Sequence, residues 1–144
     1  MRKRPEETLV SEICQRSVVT ISAGERLSTV EDIMTLGHVR HMPVVHGGTL
    51  VGVVSERDLL RASLSNLSSH RQEERRAFLH IVSIEAVMST PPVVVSPENT
   101  VDEAARIMAE RKIGCLPVMK GRQLEGMLTE TDLLRFVAGL SPRA

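Results

Sequence analysis

Aromatic side chains are almost missing: the 144 residues include no Trp, no Tyr and two Phe, Phe78 and Phe136. A stacking platform for single-stranded nucleic acid is excluded on that count, and any core must be built from Val, Leu, Ile and Met. Cysteine is scarce as well. Cys14 and Cys115 lie far apart, with no CxxC or CxxxH spacing, so neither a zinc site nor a redox pair is expected. No apolar run approaches the roughly 20 residues that a membrane helix needs. Met1-Arg2-Lys3-Arg4 runs into Pro5-Glu6-Glu7 and not into a signal-peptide apolar core, so the expected location is the cytoplasm, with no membrane partner. Lys plus Arg and Asp plus Glu balance at 18 each, and no net field draws the chain to nucleic acid or an anionic surface. G-x-S-x-G, HExxH, P-loop and GxGxxG signatures are all lacking, which leaves catalysis without a nucleophile or cofactor cradle. His38, His41 and His46 have no carboxylate or thiolate to complete a metal set, so no metal is expected.

What the chain does contain is an internal repeat. Met42-Pro43-Val44-Val45 lies on Leu116-Pro117-Val118-Met119, an offset of 74 residues (from 43 to 117) that holds without a gap. Val19 then falls on Val93, Ile33-Met34 on Ile107-Met108, Gly52 on Gly126, and Asp58-Leu59-Leu60-Arg61 on Asp132-Leu133-Leu134-Arg135. The copies are bounded at residues 8–64 and 84–142, with 65–83 between them.

Each copy has the same order of elements. A β-branched run, Val18 to Ile21 or Val93 to Val95, predicts a first strand ended by turn chemistry. A helical pattern follows, carrying Leu27, Val30, Ile33 and Met34, or Val101, Ala104, Ala105 and Met108, on one face; Thr100 and Glu103 stand at capping-box spacing. Met42 to Val45 and Leu50 to Val54, or Leu116 to Met119 and Leu124 to Leu128, predict a hairpin across a glycine turn. Ser55-Glu56-Arg57-Asp58 and Thr129-Glu130-Thr131-Asp132 then open a second helix. The fold class is α/β (α+β), two β-α-β-β-α units. The intervening segment reads as a loop, Ser65 to Ser69, and a partly exposed helix. Its mixed charges, His70 to Arg76, are those of a solvated face.

The h-P-V centre and the G-h-h-[ST]-x-x-D-h-h ending of each copy, Gly52 to Leu60 and Gly126 to Leu134, resemble the CBS domain family, and the resemblance covers nearly the whole chain. Ile84 to Met88 is similar to the family's lead-in segment, with Ile13-Cys14 at the matching place before the first copy. The resemblance implies two repeats about a pseudo-twofold axis, packed sheet to sheet, and a homodimer. It also implies clefts between the repeats that bind adenosine-containing ligands, each joining Asp58 to Val93 or Asp132 to Val19, and an unidentified effector protein acted on in trans. No cofactor is required. The implied ligand is AMP, ADP or ATP, with S-adenosylmethionine or an NAD-type molecule as further members of the class.

The residue chemistry suits such a ligand. An ionised Asp58 or Asp132 offers two acceptor oxygens to the two ribose hydroxyls. Ser55 or Thr129 stands at a helix opening, where free amides and the dipole favour phosphate. Arg57 adds a cation beside Asp58 where the second copy has the uncharged Thr131, so the first motif is expected to suit phosphate better. By position, the family's base contacts fall on Val19 or Val93 and on Arg40-His41 or Gly114-Cys115, with Val53 and Met127 flooring the slots. Two other readings stay open. The Ser/Thr-x-x-Asp pairs are also ordinary capping boxes, each contributing about 0.5–2 kcal/mol to its helix, which would make the chain a dimerisation and docking scaffold. The basic residues between the repeats are a third candidate, as a nucleic-acid contact.

Overall fold

A computed structural model describes residues 3–64 and 72–143. The helices are α1 (Val10–Ile13), α2 (Leu27–Gly37), α3 (Glu56–Leu64), α4 (Gln72–Ile81), α5 (Val101–Arg111) and α6 (Glu130–Val137); the strands are β1 (Ile21–Ser22), β2 (His41–His46), β3 (Thr49–Ser55), β4 (Cys115–Lys120) and β5 (Gln123–Thr129). The chain divides into two compact units, one of residues 19–92 and one made of residues 1–18 with 93–144.

In the first of these, β1 runs parallel to β2, and β2 pairs with β3 as an antiparallel hairpin. Gly47 and Gly48 turn the hairpin at φ 57° and 80°, the left-handed pair that a two-residue turn needs to match strand twist. One face of the sheet and the inward stripes of α2, α3 and α4 enclose Leu27, Val30, Met42, Val44, Val54, Leu59 and Leu79. The spacing of Leu27, Val30 and Met34 turns one face of α2 to that core. The charged face of α4 is more than solvated: Arg75 pairs with Glu31 at 2.7 Å, and Arg76 reaches Glu31 and Asp32, both at 2.8 Å, tying α4 to α2. The loop expected at Ser65 to Ser69, with His70 and Arg71, lies outside the described residues.

In the other unit, β4 and β5 repeat the hairpin at the same offset, down to register: His41↔Ser55 and Met42↔Val54 in one, Cys115↔Thr129 and Leu116↔Leu128 in the other. Both carry an irregularity at equivalent positions, Val44/Val45 and Val118/Met119. Its core joins Val10, Ile13 and Cys14 from α1 and its C-cap to Val95, Val101, Ala104, Met108, Leu116, Val118 and Leu128. Thr100 caps α5, its hydroxyl accepting from the Glu103 amide at 3.1 Å as the spacing predicts.

The first strand is shorter than expected in both units. Only Ile21 and Ser22 form β1, and Val95 makes a single parallel bridge to Val118. The Val95 amide donates to the Pro117 carbonyl at 3.0 Å, and the Val95 carbonyl accepts from the Met119 amide at 2.8 Å. The next donor along that ladder would be the amide of Pro117, or of Pro43 in the other unit, and proline has none. Val19 and Val93 are therefore left outside the sheets, Val19 exposed and Val93 half-buried.

The compact units do not follow the bounds of the sequence repeats. The lead-in that precedes the first repeat packs with the second, and the lead-in of the second packs with the first. Gln15 bridges Met127, and Ser89 bridges Val53. Gly126 lies under Gln15 and Cys14, and Gly52 under Met88 and Ser89, so closely that a Cβ at either glycine would collide with backbone. These glycines are set by close approach, since neither has a positive φ.

Candidate functional site

Each hairpin delivers its second strand straight into a helix, and the Ser/Thr-x-x-Asp motif sits on that junction. In the first motif the Ser55 amide donates to Asp58 Oδ2 at 2.9 Å, and the Asp58 amide donates to Ser55 Oγ at 3.1 Å, a reciprocal capping box. Arg40 and His41 are brought alongside by the sheet: His41 pairs with Ser55, the Glu56 amide donates to the Arg40 carbonyl at 2.8 Å, and Arg40 Nε stands 3.9 Å from Glu56 Oε2. Val53 lies one turn of pleat away, opposite Pro43. Arg57 is exposed beside this group. Among the described residues, no hydrogen bond reaches the second carboxylate oxygen of Asp58.

The second motif has the same frame with different occupancy. Cys115 pairs with Thr129, the Glu130 amide donates to the Gly114 carbonyl at 3.1 Å, and Met127 is buried opposite Pro117. The Thr129 amide and hydroxyl both donate to Asp132 Oδ2, at 2.8 Å and 3.1 Å. Asp132 Oδ1 is met by Arg143, through Nη2 at 3.0 Å and Nε at 3.3 Å, and by Gln15 Nε2 at 3.3 Å. The same Arg143 Nη2 also donates to Thr129 Oγ1 at 3.0 Å. The Asp132 side chain is 1% exposed. Thr131 points to solvent and adds no charge. The cation that the second motif's own residues do not carry comes from beyond the repeat, from Arg143. Gln15 and Arg143 were not legible as site residues. Neither belongs to the repeated motif, and positions 89 and 69, their counterparts at the same offset, carry serine.

Cys14 lies against Gly126 in the same unit, and burial pushes its thiol above the ordinary range, outweighing the opposite pull of Arg16. A cavity of about 590 Å³ opens between α2, α3 and α4, floored by Met34 and Leu59 and rimmed by Arg40, Glu56 and Arg75; neither Ser55 nor Asp58 lines it. Among the described residues, no three His, Cys, Asp or Glu side chains converge as metal ligands, and no helix is long and apolar enough to cross a membrane.

With the paired hairpins and junction motifs in view, comparison with known proteins is decisive: the CBS domain family matches at residues 10–65 and again at 84–139. The chain belongs to the CBS domain family. A CBS domain-containing protein of Dictyostelium discoideum is 32% identical over 131 residues, 89% of this chain and 90% of that protein. Among solved structures, the CBS domain of a CBS domain-containing membrane protein from Sphaerobacter thermophilus is 28% identical, with a TM-score of 0.77, over 92% of this chain and 89% of that one. Protein MJ1225 of Methanocaldococcus jannaschii is 28% identical, with a TM-score of 0.79, over 92% of this chain and 48% of that one. The CBS pair thus spans nearly all of the Dictyostelium protein but about half of MJ1225, and 24% of an inosine-5'-monophosphate dehydrogenase from Korarchaeum cryptofilum to which it is 30% identical.

Proposed function

We propose that this CBS pair is a regulatory module that binds an adenosine-containing nucleotide, AMP, ADP or ATP, through its junction motifs and passes occupancy to a partner protein in trans, working as a homodimer and not as an enzyme. The observation that carries this reading is the Asp58 carboxylate. It is held at a helix opening by its own capping box, and among the described residues no hydrogen bond reaches its other oxygen, whose two lone pairs can accept from both hydroxyls of a ribose. The positive dipole end at the start of α3 and the exposed Arg57 favour a phosphate on the same side. Val19, Val93, Val53, Met127, Arg40, His41, Gly114 and Cys115 are proposed to contact the base, with Ser55, Arg57, Asp58, Thr129, Thr131 and Asp132 holding ribose and phosphate. The fold itself accommodates such compounds: the CBS pair of protein MJ0100, 24% identical with a TM-score of 0.77, was solved in complex with 5'-methylthioadenosine and S-adenosyl-L-methionine.

The test is a melting curve against AMP, ADP, ATP, S-adenosylmethionine and guanine controls. A ligand at about 100 times its Kd adds roughly 2.7 kcal/mol, several degrees for a domain of this size. A shift with an adenosine ligand that guanine nucleotides do not give, and that Asp58→Ala removes, supports the sensor. No shift from protein freed of carried-over ligand leaves a scaffold whose motifs only cap helices.

A further inference from the structure

The two motifs are alike in sequence and differ in what fills the carboxylate. A carboxylate has about four lone-pair directions. Those of Asp132 are taken by the Thr129 amide and hydroxyl on Oδ2 and by Arg143 and Gln15 on Oδ1. A ribose diol therefore finds no acceptor at Asp132 as the side chains stand, whereas at Asp58 one oxygen remains available among the described residues.

The arginine is delivered there by a built turn. After α6 the chain reverses at Gly139, whose φ of 74° is left-handed. The Gly139 amide donates to the Phe136 carbonyl at 3.1 Å and the Leu140 amide to the Arg135 carbonyl at 2.8 Å, the paired bonds of a Schellman cap. Arg135 then grips the Ser141 carbonyl from Nε at 3.0 Å and Nη2 at 2.7 Å. Two residues further on, Arg143 lands at the opening of the helix the segment has just left. The first repeat has no counterpart in sequence: serine stands at 65 and 69, where 139 and 143 would fall.

We propose that Arg143 is a tethered competitor of the nucleotide at the second motif, making that motif the weaker of the two, so that ligand engages Asp132 only when the segment after α6 withdraws. This rests on the nucleotide reading above. While Arg143 is seated the motif is not competent, and apparent affinity falls by the fraction of time it is withdrawn. A charge-assisted contact to a buried carboxylate holds that fraction to about a tenth or less. By the same linkage, a bound nucleotide frees residues 139–143, giving occupancy a physical output.

The experiment is calorimetric titration with AMP, ADP and ATP in turn of four chains of residues 1–144: wild type, Asp58→Ala, Asp58→Ala with Arg143→Gln, and Asp58→Ala with Arg135→Ala. The last loosens the turn without touching Asp132, and guards against a folding defect specific to Arg143→Gln; thermal melts establish that each chain is folded. Both double variants should bind the preferred nucleotide at least about tenfold more tightly than Asp58→Ala, and amide exchange at Gly139 and Leu140 in Asp58→Ala should quicken when nucleotide saturates it. Equal affinity in all three Asp58→Ala chains, with wild type still binding, overturns the competitor and leaves the nucleotide reading standing. Two equal sites in wild type overturn it as well. No nucleotide binding by any chain sinks the nucleotide reading, and the competitor with it.

Discussion

Asp58 and Asp132 occupy matching positions in matching motifs, yet their side chains answer to different neighbours. Asp58 is half-buried and bonded within its own capping box, so its replacement mainly loosens the start of α3. Asp132 is buried and joins α6, the Gln15 segment and Arg143 through one carboxylate. Removing its charge leaves a guanidinium and an amide poorly matched. Asp132→Asn is expected to cost on the order of 1–3 kcal/mol and Asp58→Asn about 1 kcal/mol or less, read as shifts in urea midpoint at unchanged slope; the reverse order would show that the Arg143 contact contributes little. At this scale the motif residues were legible, because a helix opening needs a side-chain acceptor and sequence spacing reveals it. Gln15 and Arg143 were not, because a contact made across more than a hundred residues, or by a reversal after a helix, leaves no periodic trace.

The lead-in segments decide the element scale. Ser89 and Gln15 extend the hairpins by one bridge each, and only a glycine beneath them permits the approach. A Cβ on Gly52 would stand 2.7 Å from both Met88 Sδ and the Ser89 carbonyl, and one on Gly126 would strike the Gln15 carbonyl. Gly52→Ala and Gly126→Ala should each cost on the order of 1–3 kcal/mol by overpacking, with faster amide exchange at Ser89 and Gln15 respectively; exchange unchanged at both would show that the hairpins yield without loss. The first lead-in is also sensitive to acid. Glu7 titrates below the usual carboxylate range because the Arg4 side chain bonds it, and Glu12 does so because the Leu9 amide donates to it and Lys3 pairs with it. Lowered values mean stability that is present above the ordinary carboxylate range and lost as pH falls through the lowered ones. Amide protection across residues 7–14 should therefore decline on acidification toward pH 3, and protection that stays flat would contradict it. Helices and hairpins were legible because apolar period and turn glycines agree; the first strands were overextended because proline's missing amide acts on the neighbouring strand and not on its own.

For the whole molecule, sequence repeats and compact units are different partitions. The repeat is a record of similarity, and similarity is silent about which copy a lead-in packs against. Residues 19–92 hold one complete core cluster, while 93–144 lack Val10, Ile13 and Cys14 of theirs. They also lack the Thr8 carbonyl that accepts from the Val101 amide at 2.8 Å and the Val10 amide that donates to the Asn99 carbonyl at 2.8 Å. A fragment of residues 93–144 should show little helical circular dichroism alone and gain it when a peptide of residues 1–18 is added. Full structure without the peptide would mean that the first lead-in is dispensable to that core.

That partition bears on the order in which the protein is made. Translation releases residues 19–92, and with them a finished core, while the first eighteen residues are still waiting for partners that the ribosome has yet to produce. Val10 and Ile13, fully or almost fully enclosed in the folded chain, stay without that shelter until residues 93–144 have been made. Residues 1–18 are thus made before the core of residues 19–92 but sheltered after it.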